Sequence, residues 1–81
     1  MYYMYILKSE KDSRLYIGST DNLRKRFSEH QAGKVPSTKY RIPIDLKYYE
    51  AYPEEWMARK REKQLKAFGK AYQELKKRLM L

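Results

Sequence analysis

Cysteine is absent from this chain of 81 residues, glycine and proline occur three times each, and histidine once. The first absence removes disulfide staples, thiolate zinc sites and cysteine nucleophiles together, and fits a reducing compartment. No apolar run is long enough to span a bilayer, and Met1-Tyr2-Tyr3-Met4-Tyr5 lacks the charged start and cleavage site of a secretory signal. A cytoplasmic protein without a membrane partner is expected. A chain this short buries only about 60–65% of the surface its unfolded form exposes, so one thin-cored domain over residues 1–81 is expected.

Acidic residues are also scarce. Ten Asp and Glu face nineteen Lys and Arg, leaving a formal charge of +9. Such an excess favours polyanions, nucleic acid first and anionic membrane second. Nine tyrosines are the other conspicuous surplus, each offering a stacking face and a hydroxyl useful beside bases and phosphates.

Residues 2–7 and 14–19 read as two strands of a hairpin around the polar turn 8–13. Thr20 or Asp21 is placed to cap a helix running from Leu23 to Gly33, and residues 34–43 read as loop. A third strand covers 44–52, with Ile44, Leu46, Tyr48 and Tyr52 on one face by period two. Pro53 suits the first position of a second helix running to Phe68, with Gly69 as its terminator and a last helix over 70–80. The spacing therefore predicts an α+β fold of order ββαβαα, a three-stranded, mainly antiparallel sheet flanked by helices.

Tyr5 and Tyr16 fall on the same side of the hairpin, and Gly18 leaves open surface beside them for a ligand backbone. Taken alone, these tyrosines read first as packed strand residues. Arg26 and His30, four apart, share one face of the first helix and border the apolar stripe of Leu23 and Phe27. On the second helix Met57, Ala58, Leu65 and Phe68 mark the buried side, and Glu62 stands at its edge. By itself Glu62 reads as a surface residue paired with Lys66. Arg61 projects toward the stripe centre, where it would meet a buried carboxylate or a phosphate. Arg24, Lys25, Lys39 and Arg61 are the expected nucleic-acid contacts.

Tyr3-Met4-Tyr5 and Tyr16-Ile17-Gly18 together resemble the paired motifs that name the GIY-YIG endonuclease superfamily. Ser19 to Arg26, then Glu29-His30, is similar to that family's first helix, and Ala58 to Lys66 to the segment with its metal-binding glutamate. The likeness covers most of the chain and is nearest the small bacterial YhbQ-like members. It implies a metal-dependent endonuclease acting on DNA ahead of RNA, at branched or damaged structures, as a monomer or weak homodimer. Tyr5, Tyr16, Arg26 and His30 would be catalytic, and Glu62 would hold one divalent cation, Mg²⁺ or Mn²⁺. An isolated phenol titrates near pH ~10, so either tyrosine needs nearby positive charge to accept a proton from water, with Tyr5 placed ahead of Tyr16. Two departures stand out: Tyr3 replaces the first motif's glycine, and Asn22 is the only asparagine, so none follows the glutamate helix. The second motivates an alternative, a non-catalytic nucleic-acid-binding module on the same fold. A membrane-docking role for the basic last helix ranks below both, because packing on the sheet accounts for its apolar residues.

Overall fold

β1 (Tyr2–Ser9) is rich in aromatic and branched residues and lies at the centre of the sheet, between β2 (Leu15–Thr20) and β3 (Ile44–Tyr52). The computed structural model describes residues 1–81. Both strand pairs are antiparallel, and three helices complete the expected order: α1 (Leu23–Gln31), α2 (Glu55–Lys66) and α3 (Lys70–Leu79). Buried Ser9 closes the β1–β2 turn by accepting from the backbone of Lys11 and Asp12 and donating to the Arg41 carbonyl.

The central strand feeds both sides of the sheet because its side chains alternate. Met4 and Ile6 face α2 and α3, where they meet Ile17, Leu65 and Leu75. Tyr5 and Leu7 face α1, where they meet Ile44 and the partly buried Leu23, Phe27 and Leu46. Each core is small, and the sheet is the wall they share.

β3 corrects the period-two expectation. Leu7 pairs with Leu46 but Ile6 pairs with Tyr48, so Lys47 is an extra residue, a β-bulge that reverses the alternation. Ile44 and Leu46 consequently face α1, whereas Tyr48 and Tyr52 face α2 and α3. On that second side Tyr48 and Tyr52 donate to Glu50 at 2.8 and 2.5 Å, and Arg61 grips both carboxylate oxygens at 3.0 and 3.3 Å. Burial raises the Glu50 pKa, but hydrogen bonds from Tyr52, Arg61 and Tyr48 outweigh it and leave the carboxyl below its ordinary value.

Helix ends differ from expectation too. Asn22, rather than Thr20 or Asp21, caps α1: its side chain accepts from the Lys25 backbone N–H at 3.1 Å. Thr20 acts one step earlier, accepting from the Asn22 N–H at 3.1 Å. Helix α2 begins two residues beyond Pro53, and its left-handed terminator is Phe68, with φ of 55°, instead of Gly69. Phe68 is therefore exposed rather than buried, resting edge-on against Tyr72.

Candidate active site

Gly18 faces Tyr5 across the β1–β2 ladder. A methyl group there would lie 2.5 Å from the Tyr5 hydroxyl oxygen and 2.6 Å from the carbon bearing it. The space above the glycine is thus filled by the phenol of Tyr5 instead of being left for a ligand. Only a residue without Cβ lets this ring lie flat across β2. Tyr16 sits diagonally opposite on the same face, its ring centroid 6.3 Å from that of Tyr5.

Helix α1 covers these rings and contributes His30, which is wholly buried. The Tyr5 hydroxyl lies 3.0 Å from His30 Nε2, and Thr38 Oγ1 lies 2.7 Å from Nδ1. Burial pushes the Tyr5 phenol up to about 12; Arg26 acts in the opposite sense and Tyr16 adds to the rise. Burial, reinforced by the charge of Arg26, lowers His30 to about 4. Both groups are therefore neutral at pH 7. A neutral imidazole donates through one ring nitrogen and accepts through the other, so it satisfies both the Tyr5 hydroxyl and the Thr38 hydroxyl at once. Tyr5, His30 and Thr38 form a closed chain of hydrogen bonds, two of whose members come from the helix and the loop after it. The reading of the sequence missed Thr38. A threonine in a ten-residue loop carries no pattern that would single it out.

Arg26 stands one turn before His30. Its guanidinium feels both tyrosines, and Tyr5 in particular holds it above its ordinary pKa. Its side chain remains 38% exposed and touches Glu29 at 3.4 Å. Beside it opens a cleft of about 390 Å³ between α1 and α2, floored by Ser19, Thr20 and Asn22 and walled by Lys25, Arg26 and Arg59 together with Asp21, Glu29 and Glu55.

Glu62 belongs to α2, which packs on the opposite side of the sheet from Tyr5 and Tyr16. It reaches the β2 edge of the sheet, where Ser19 lies. Its Oε1 accepts from Ser19 at 2.5 Å and its Oε2 from Lys66 at 2.6 Å. That ammonium also stands 5.8 Å from the ring centre of Tyr16, so Lys66 bridges the carboxylate and the phenol. The pairing with Lys66 expected for an ordinary surface glutamate is thus present. Glu62, Lys66, Lys63, Arg59 and Ser19 line a second cleft of about 460 Å³ that shares Ser19 and Arg59 with the first.

One carboxylate and one hydroxyl are hard oxygen donors, a set that fits Mg²⁺ or Mn²⁺ completed by waters and substrate oxygens. No group of three His, Asp or Glu side chains converges to hold an ion by itself. A cation at Glu62 would have to displace Lys66.

The expected nucleic-acid contacts divide. Lys25 lines the first cleft, and Arg24 a neighbouring groove. Arg61 is spent on Glu50, a partly buried carboxylate, on the other side of the sheet from Tyr5 and Tyr16. Lys39 lines neither cleft; its ammonium sits 4.9 Å from the Tyr40 ring. Arg59, which lines both, was not singled out in the sequence because it reads as one more exposed helix cation.

Comparison with known proteins adds a family. The description "GIY-YIG catalytic domain" matches residues 1–79. Over 51 residues the chain is 47% identical to UPF0213 proteins of Streptococcus pyogenes serotype M5 (strain Manfredo) and serotype M2 (strain MGAS10270). The match takes in 62% of this chain and 54% of each relative, so it spans about half of their length. No solved structure matches.

Proposed function

Because this chain belongs to the GIY-YIG catalytic-domain family, which is a nuclease superfamily, we propose that it is a metal-dependent endonuclease hydrolysing phosphodiester bonds of DNA, at branched or damaged structures. One observation carries the reading. Two phenols, a neutral imidazole and a guanidinium meet on one face of the sheet, beside a polar cleft lined by cations and carboxylates, whose continuation holds Glu62.

Hydrolysis requires that the attacking water lose a proton, that charge on the phosphate be neutralised, and that the leaving oxygen be stabilised. Arg26 suits the second task, its permanent charge and planar fork matching phosphoryl oxygens. The sequence placed Tyr5 ahead as proton acceptor. Its burial and its elevated pKa move that role, in our proposal, to the half-buried Tyr16. Lys66 stands 5.8 Å from the centre of the Tyr16 ring, and the charge of Arg26 reaches the same pair of phenols. Tyr5 is then a positioning residue, holding the Tyr16 ring and Arg26 through its bond to His30. Bound at Glu62, a divalent cation would supply charge relief to the phosphate and the leaving oxygen.

A nicking assay over single-stranded, duplex, flap and junction DNA, with and without Mg²⁺ or Mn²⁺, tests the reading. Arg26→Ala and Glu62→Ala should each slow cleavage by at least about a hundredfold while the fold persists. Retention of wild-type rates by both variants would overturn it. The hold of Ser19 and Lys66 on both Glu62 oxygens favours a second reading, a binding module without turnover. That version predicts DNA binding undiminished by EDTA and no nicking with either metal.

A further inference from the structure

Tyr3 occupies the position where the first motif ordinarily has glycine, and the chemistry above gives it no task. It lies on the same face as Tyr5, its directly paired neighbours are the small Thr20 and Ala51, and it is partly exposed. Tyr49, paired directly with Tyr5 on β3, comes to Tyr3 edge-on, with centroids 6.0 Å apart and planes at 68°. Rings set at that angle do not stack on each other. Tyr49 is 51% exposed. The two tyrosines, with Leu23, Phe27 and Arg24 of α1, line a groove of about 480 Å³. Asp21 and Asn22, at the start of α1, border both this groove and the Arg26 cleft, so the two are continuous around that helix end.

We propose that the Tyr3–Tyr49 groove is a stacking site for one unpaired nucleobase, next to the phosphate held at Arg26. This deepens the nuclease reading and rests on it for the identity of the phosphate. An aromatic ring flanked by a guanidinium recognises any base by its π-face, without regard to sequence. In an intact duplex both faces of each base are occupied by neighbours. The groove therefore selects nucleic acid with unpaired residues at the cleavage point, which is the chemistry of flaps, gaps and single strands. Arg24 contributes charge toward the backbone of the same nucleotide.

Cross-strand tyrosines can also serve the sheet alone, and the test must separate the two roles. A fluorescent purine analogue in a short single-stranded DNA is titrated with the full chain in EDTA, beside the same sequence as duplex. The wild type should quench the single strand and prefer it. Tyr3→Leu and Tyr49→Leu keep an apolar strand residue but lose the π-face. Each should weaken single-strand binding by roughly fivefold to a hundredfold, the range of one base–aromatic stack, and erase the preference over duplex. Tyr49→Phe should restore both quench and preference. An unquenched wild type, or equal losses on single strand and duplex, overturns the site. Quenching by a chain that nicks nothing leaves the groove standing and removes only the nuclease reading; nicking without quenching removes only the groove.

Discussion

On the α2–α3 face, Tyr48 and Tyr52 aim their hydroxyls at Glu50 and Arg61 closes the remaining side; on the α1 face, Tyr5 and Tyr16 meet His30 and Arg26. The ingredients are nearly the same, two phenols and a guanidinium, yet the outcomes are opposite. In the first cluster the cation and the anion match, and Arg61 keeps only 23% of its side chain exposed. In the second the central ionisable partner is a neutral imidazole, and the one ion pair of Arg26 is a longer one, to Glu29 on its own helix. A matched cluster has no charge left to offer and serves to hold α2 on the sheet. Arg26, loosely paired and at the edge of a cleft, is the cation that our proposal assigns to an anion outside the chain.

Removing each arginine should pull the clusters apart most clearly. Arg26→Ala is expected to lose at least about a hundredfold in cleavage, while urea unfolding shows stability changed by no more than ~0.5 kcal/mol, as for an exposed side chain. Arg61→Ala should do the reverse, costing about 2–3 kcal/mol in the same unfolding experiment because Glu50 is left charged and mostly buried, and sparing the rate of the folded protein. Matching effects on rate and stability in both variants would erase the distinction.

The imidazole sharpens it next. Folded His30 titrates at about 4 against an ordinary value of 6.5, so between those limits the unfolded chain binds a proton that the folded chain refuses. Stability should fall as pH drops from 6.5 toward 4 and level off below, by about 3 kcal/mol. Unfolding midpoints across that range should lose this component in His30→Gln, and an unchanged slope would show that His30 is not the group responsible. The smallest effects come from single hydroxyls. Tyr5→Phe orphans His30 Nε2 and Tyr52→Phe deprives Glu50 of one donor, each costing about 1 kcal/mol in chemical denaturation. Only Tyr5→Phe should also slow nicking.

Much of this arrangement is legible in the chain, because local patterns carry it. The hairpin, the third strand and the three helices follow from alternation, turn residues and apolar stripes, and the neighbourhood of Tyr5, Tyr16, Arg26 and His30 follows from strand pairing and helical spacing. What escapes is non-local. The bulge at Lys47 is a property of two strands in register, invisible in either one. Thr38 joins the site only when the loop folds back under α1, and buried Val35 and partly buried Ile42 are that loop's apolar anchors. Phe68 defeats the glycine rule because it takes the left-handed position itself, one residue early. Glu62 looks like a solvated helix residue until β2 is known to be an edge that it reaches.

Lys47 is exposed and touches neither cluster, so a change of its side chain should pass almost unnoticed. Its backbone is another matter. That one extra residue is a phase shift in the strand, and it alone decides that the front half of β3 serves the phenols of Tyr5 and Tyr16 while the back half serves Glu50. Loss of a single codon here would rotate one half against the other, sending either a glutamate onto the α1 face or two aliphatic side chains out of their core. The position is free in letter and fixed in length.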